Sequence, residues 1–326
     1  MNSNNDQENF PHPEDEENQA FSEGAQEGSA GFQSRELHLE QPWREEALRA
    51  VLPWPDESTN KYARGKLMIM AGSSRYPGAA CLATRAAQRM GVGYAQVVTA
   101  SSEVKQLVLN LCPSAVVLSA DEFDHASLGE VRKGHPQAVC IGPGFDADSK
   151  KTNKQVFQVV EEAACPVLVD GGGLTALCTN KGRKTLTRRR ESGFATVLTP
   201  HFGEAVRLVE AFGIPKRPPV YLAAELSQVT GAVVVLKGPN TYIAKDMQVW
   251  PMLEGTAALA KAGAGDVLAG MISALLAQGV EPVAAAILGA TLHARAGVEA
   301  AQAQTIISVL PEEVTEAIPA AIRTLA

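Results

Sequence analysis

The chain has 326 residues, 45% of them hydrophobic, which is ample for a buried core in one large or two modest domains. No apolar run approaches the roughly 20 residues that span a bilayer, and the opening Met1-Asn-Ser-Asn-Asn-Asp lacks the basic and apolar parts of a signal peptide. A membrane role is thereby excluded and a cytoplasmic setting expected. The net charge of −7 is local, because residues 1–40 carry ten acids against Arg35 alone and the remainder is nearly neutral.

Met1 to about Ser34 is polar, acidic and rich in Gly and Gln. It buries too little surface to offset its chain entropy, so residues 1–36 are expected to be a disordered acidic tail and residues 37–326 the folded domain. From Lys66 onward, short apolar runs ending in Gly, Pro, Ser or Thr predict strands at Leu67–Ala71, Ala95–Thr99, Ala115–Leu118, Ala138–Gly142, Val167–Asp170, Thr196–Thr199, Val233–Leu236 and Thr241–Ala244. Several are apolar on both faces, which calls for helices above and below a mostly parallel sheet. Helical spacing appears between them at Gly78–Met90, Ser149–Ala163, Gly203–Phe212, Val220–Val229 and Asp266–Gln278. The class is α/β, in three layers. Two further helices are predicted around Pro282–Gln302 and Pro311–Leu325. The first is so rich in Ala that it must pack closely, within the fold or across a subunit boundary.

Five cysteines without CxxC spacing sit among apolar neighbours and read as buried reduced thiols. The basic stretch Lys181, Arg183, Lys184, Arg188, Arg189, Arg190 holds no aromatic residue for base stacking and reads as a solvated insertion, so no nucleic-acid partner is expected.

The segment Ala257–Leu276 runs a loop of small residues into a long apolar helix pattern. Free N–H groups and the positive dipole end at a helix start stabilise an anion, and Gly263 and Gly265 let backbone approach a phosphate closely. Asp266, at the first helical position, is the only acid between Gly255 and Gly279. A carboxylate there suits proton acceptance during phosphoryl transfer, or simply a helix start. Four predicted strand exits would converge with it at the sheet's carboxyl edge: Ala71-Gly-Ser-Ser-Arg-Tyr-Pro-Gly-Ala-Ala, Gly142-Pro-Gly, Thr199-Pro-His-Phe-Gly-Glu and Lys237-Gly-Pro-Asn-Thr. His201 reads either as a helix cap or as a ring beside a substrate. Lys237 and Thr241 lie in a strand-turn-strand segment, either a simple hairpin or a nucleotide contact. No Walker P-loop and no GxGxxG is present, so any nucleotide is held another way.

Together these motifs resemble the ADP-dependent (S)-NAD(P)H-hydrate dehydratases of the ribokinase-like superfamily, from about Leu52 to the C-terminus. Lys61, Gly65–Ser73, Tyr76-Pro-Gly-Ala-Ala, Gly91-Val-Gly, Val235-Leu-Lys-Gly and Gly263-Ala-Gly-Asp-Val-Leu-Ala-Gly complete the set. The resemblance implies a ribokinase-like three-layer fold and a repair reaction in which hydrated NADH or NADPH is phosphorylated on its ring hydroxyl and phosphate then leaves. It implies Asp266 as the catalytic residue, and Ala79, Gly144, His201 and Asp266 at the substrate. Lys237, Gly238, Pro239, Asn240, Thr241 and Gly265 would hold the nucleotide, ADP or ATP. Mg²⁺ is expected on phosphates and water, without a dedicated protein metal site. The resemblance also implies a homo-oligomer. The acidic segment is too short for the epimerase domain that many relatives carry, so a separate epimerase chain is expected.

The family's Asp-Ala-Asp-Gly-Leu-Asn stands here as Asp170-Gly-Gly-Gly-Leu-Thr, and its Ala-Thr-Gly-Gly-(Thr/Ser)-Gly-Asp as Ala260-Lys-Ala-Gly-Ala-Gly-Asp. Ala262 matters if that position needs a positive φ, and Lys261 either faces the phosphates or points outward. Cys112-Pro113 replaces Pro-Glu, a change expected near the ligand edge. The alternatives are a vitamin or sugar kinase of the same superfamily and a catalytically silent nucleotide-binding protein.

Overall fold

The computed structural model describes residues 36–130 and 132–326. Apart from Glu36, the expected tail lies outside them. Ten described strands form one sheet in the order β1-β10-β9-β8-β7-β6-β5-β2-β3-β4. The strands are β1 His38–Leu39, β2 Lys66–Met70, β3 Tyr94–Thr99, β4 Val116–Ser119, β5 Gln137–Ile141, β6 Val167–Val169, β7 Thr196–Leu198, β8 Val233–Leu236, β9 Thr241–Lys245 and β10 Gln248–Met252. Pairing is parallel except where β9 runs against β8 and β10.

Alternation along the strands divides two cores. Leu67, Ile69, Ala138 and Cys140 face one side with the helices Gly78–Arg89, Ala264–Ala277, Pro282–Ala303 and Pro311–Arg323. Met68, Met70, Val139 and Ile141 face the other with Lys150–Glu162, Phe202–Phe212 and Pro219–Thr230. Such strands are buried on both faces, as the apolar runs require. The Ala-rich helix Pro282–Ala303 packs within the fold, against Ala264–Ala277 and Pro311–Arg323. No described helix is long and apolar enough to cross a membrane.

The order of connections places the crevice. β2 and β5 are neighbours, yet β2 leads into the helix Gly78–Arg89 on one face and β5 into Lys150–Glu162 on the other. The exits therefore part at their carboxyl ends, where open α/β sheets take ligands.

The basic stretch departs from expectation. It forms the helix Asn180–Glu191, begun by Thr179, whose hydroxyl accepts from the Gly182 N–H. Arg189 is 3% exposed. Its guanidinium donates to the carbonyls of Val160, Ala163, Cys165 and Ala195 and to Thr196 Oγ1. Burial pushes its pKa down to about 10. It closes the end of one helix against β6 and β7. Arg189→Met is expected to cost about 3 kcal/mol or more in urea unfolding, because several buried carbonyls lose their donor. A loss below about 1 kcal/mol would show those carbonyls to be satisfied without it. All five cysteines are free, four buried and Cys178 only half-buried.

Candidate active site

The site is assembled from five strand exits. Gly72 N–H donates to Pro143 O at 2.7 Å, which ties the β2 exit to Gly142-Pro-Gly144. Gly144 has φ +65°, and a Cβ there would stand 2.5 Å from the Ala79 Cβ. Ala79, in the first turn of the helix after β2, and Gly144 thus meet, and only glycine permits the approach.

Asp170, at the end of β6, is 3% exposed. Its Oδ1 accepts from Thr199 Oγ1 at 2.8 Å and from Lys237 Nζ at 2.7 Å. Three strand ends are joined by one carboxylate. Burial opposes the ammonium of Lys237, but the negative charges of Asp170, Glu204 and Asp266 outweigh it and hold its pKa above the ordinary lysine range. A Cβ on Gly265 would lie 3.2 Å from Lys237 Nζ, so the ammonium stands at the start of the Ala264–Ala277 helix.

That helix is entered through Gly263 at φ 102° and begins at Ala264. Asp266 is therefore the third helical residue and not the first, because the small residues before it already turn. Among the described residues, the N–H groups of Gly265 and Asp266 bond to no backbone carbonyl, as expected of a first turn left open for an anion. Burial, then the charge of Asp170, lifts the Asp266 carboxyl to about 7, with Lys237 pulling the other way. A carboxyl poised near neutrality in such surroundings suits proton transfer.

His201 proves to be a helix cap as well as a rim residue. Its Nδ1 accepts from Gly203 N–H at 3.1 Å, and Glu204 Oε2 accepts from His201 N–H at 2.9 Å, a reciprocal capping box. The residue is exposed, and its backbone forms a bridge with Lys237, whose N–H donates to Pro200 O at 2.8 Å. Gly238, Pro239 and Asn240 form the exposed turn between β8 and β9, and Thr241 opens β9. The turn directly follows Lys237. Asp170 and Glu204 are part of this constellation, though sequence reading assigned neither a role. Their signal was position alone, an acid at a strand exit and an acid three residues after a cap.

With this geometry in place, comparison with known proteins is decisive. The family model described as NAD(P)H-hydrate dehydratase matches residues 67–320. The chain belongs to the NAD(P)H-hydrate dehydratase family. It is 32% identical over 285 residues to the ADP-dependent (S)-NAD(P)H-hydrate dehydratase of Xanthomonas campestris pv. campestris, covering 84% of this chain and 93% of that one. It is 35% identical to the bifunctional NAD(P)H-hydrate repair enzyme Nnr of Synechocystis sp., covering 79% of this chain but 48% of the longer relative, so the chain spans about half of such bifunctional proteins. Among solved structures it resembles the ADP/ATP-dependent NAD(P)H-hydrate dehydratase of Bacillus subtilis co-crystallized with ATP/Mg²⁺, with TM-score 0.71 and 29% identity over 90% of this chain and 100% of that one.

Within this dehydratase family the chain's departures now have physical accounts. Asp246 is the only described non-glycine residue with positive φ, so Ala262 is unstrained and Gly263 makes the turn. Lys261 Nζ donates to Ile307 O at 2.8 Å, which spends it on fastening the loop. In the Asp170 loop, a Cβ on Gly172 would lie 2.4 Å from Phe145 O. The loop packs against Phe145 and leaves no room for a side chain at Gly172. Cys112 is buried in the core, its thiol 3.7 Å from Cys81 O, so that difference is a matter of packing and not of the ligand edge.

Proposed function

We propose that this chain dehydrates hydrated NADH or NADPH back to the working cofactor, driven by ADP or ATP. The observation that carries this reading is the half-buried Asp266 with its raised pKa, set in an open helix start beside Lys237. Asp266 accepts the proton of the ring hydroxyl as its oxygen attacks the terminal phosphorus of the nucleotide. The N–H groups of Gly265 and Asp266 stabilise the charge on the transferring oxygens. Phosphate then leaves with the carbon–oxygen bonding pair, and the adjacent ring carbon gives up a proton as the double bond re-forms. Ala79, Gly144 and His201 border the substrate side. Lys237, the turn Gly238–Asn240, Thr241 and Gly265 border the nucleotide side.

Among the described residues no three His, Cys, Asp or Glu side chains gather to hold a metal ion. Asp170 is engaged by Lys237 and Glu204 by the His201 N–H, while no hydrogen bond among the described residues engages Asp266. Asp266 is the carboxylate of this constellation free to face a Mg²⁺ carried on the nucleotide phosphates. Bound there, it would offset phosphate charge. A cytoplasmic setting, a homo-oligomer and a separate epimerase chain accompany the reading.

The test mixes protein, Mg²⁺ and hydrated NADH with ADP or with ATP and follows the near-ultraviolet absorbance of the dihydronicotinamide ring. A nucleotide-dependent rise is expected and would identify the phosphate donor. Nucleotide binding with no rise, or a stable phosphorylated product from a vitamin or sugar, would replace this reading with a silent binder or a small-molecule kinase.

A further inference from the structure

The helix Asn180–Glu191 carries a concentration of positive charge that the active site leaves unused. Its Gly182, Thr185, Leu186 and Arg189 turn inward, while Lys181, Arg183, Lys184, Arg188 and Arg190 are exposed. Two of these charges are matched, Arg188 by Glu161 at 3.2 Å and Arg190 by Asp246 at 3.8 Å. Among the described residues, Lys181, Arg183 and Lys184 have no carboxylate partner. They are nonetheless held in place, since the Lys181 ammonium stands over the Phe157 ring at 4.2 Å and Arg183 Nη1 donates to Phe212 O at 3.0 Å. The outer face, with Asn180, Arg183, Lys184, Thr187, Arg188 and Glu191, lines an open groove of about 700 Å³. A charged face is ordinarily left to water, but here the same chain holds its complement.

Before Glu36 the sequence has eight acids against Arg35, and four of them are consecutive, Glu14-Asp15-Glu16-Glu17. The described chain begins beside the basic helix. His38 N–H donates to Met247 O at 3.0 Å in the turn after β9, and Asp246 of that turn is the residue that pairs with Arg190 in the last turn of the helix. About 20 residues separate Glu17 from Glu36, and a chain of that length has a mean span of roughly 25 Å. The helix itself is about 18 Å long. The four acids therefore come within reach of its beginning, where Lys181, Arg183 and Lys184 stand and where the helix dipole favours negative charge. Exposed ion pairs are individually weak and screened by salt. A covalent connection that spans the distance raises the local concentration of the acids to about the millimolar range, so several pairs made together hold.

We propose that the groove on the outer face of the helix Asn180–Glu191 is the docking surface for the chain's own acidic segment, with Glu14–Glu17 set against Lys181, Arg183 and Lys184. Docked there, the segment shields the helix from other polyanions. The experiment treats the full chain with a carbodiimide, which joins a carboxylate to an amine in contact with it, after equal amounts of heavy-isotope and ordinary protein have been mixed, and maps the products by mass spectrometry. Links from Glu14, Asp15, Glu16 or Glu17 to Lys181 or Lys184 are expected within single molecules. They should exceed those to the exposed Lys61 and Lys133 by about fivefold or more and fall by about fivefold between roughly 0.05 M and 0.5 M salt. A second measurement follows acetylation of the lysines. Glu14→Gln, Asp15→Asn, Glu16→Gln and Glu17→Gln made together should speed acetylation of Lys181 and Lys184 by about threefold and leave Lys61 and Lys133 unchanged. Links that join heavy to ordinary protein would mean that the segment of a second copy fills the groove. Links no more frequent than at Lys61 and Lys133, or an unchanged acetylation rate in the fourfold variant, would mean that the face is merely solvated. Each of these outcomes would overturn the proposal.

Discussion

Asp266→Asn is expected to lower kcat by about 10²–10⁴-fold and, at the same time, to stabilise the protein above neutral pH. The two effects share one cause. The folded state raises the Asp266 pKa to about 7, chiefly by burial and then by the Asp170 charge. A group whose folded pKa is raised contributes stability that is fully present below its unfolded pKa and is lost as pH climbs through the folded one. For Asp266 that window runs from about 4 to about 7, where the unfolded chain has released the proton and the folded chain still holds it. Asparagine has no proton to release. Relative to the parent, the variant should therefore gain roughly 2–4 kcal/mol in urea unfolding between about pH 4 and about pH 8. The parent's turnover should rise with pH, with an inflection near 7, as the carboxylate forms. Retained turnover in the variant would remove Asp266 from the chemistry, and an absence of pH-dependent stabilisation would show that its carboxyl is not held in the protonated form.

Lys237→Met should be the most destabilising change at the site. Asp170 is 3% exposed and shares its Oδ1 between Lys237 and Thr199. Removing the ammonium leaves a buried carboxylate with a hydroxyl as its remaining side-chain donor, a loss of about 3–5 kcal/mol. The double variant Asp170→Asn with Lys237→Met removes both charges and should recover most of that stability, giving a coupling energy of about 3 kcal/mol in a double-mutant cycle. It should not recover ADP affinity if Lys237 also faces the phosphates. Simple additivity would mean that the pair does not hold the strand ends together.

The sheet was legible where strands are buried on both faces, because runs such as Val233–Leu236 are short, β-branched and flanked by Gly231 and Gly238. β10 was not, since Pro251 speaks against a strand. The structure shows why it is tolerated: β1 pairs only with Gln248 and Val249, so the proline lies beyond the paired stretch and loses no bond on that side. The helix Asn180–Glu191 was illegible because Gly182, Thr185, Leu186 and Arg189 make its buried face, and only one of these reads as apolar. Asp266, Lys237, Gly265 and His201 could be named from motifs. Asp170 could not, because its partner is 67 positions away and no local spacing connects them.

The sequence by itself determined the layered α/β class, the glycines and prolines at the ligand edge and the ordered motifs that mark the family. These are local properties, set by side-chain period and by backbone freedom. Only the tertiary structure decided that Asp170 joins Thr199 to Lys237, that Lys261 fastens a loop and faces no phosphate, that His201 caps a helix, and that the Asp266 carboxyl titrates near neutrality. Proton affinity and charge pairing depend on burial and on groups brought from distant strands, and those exist only once the sheet has formed.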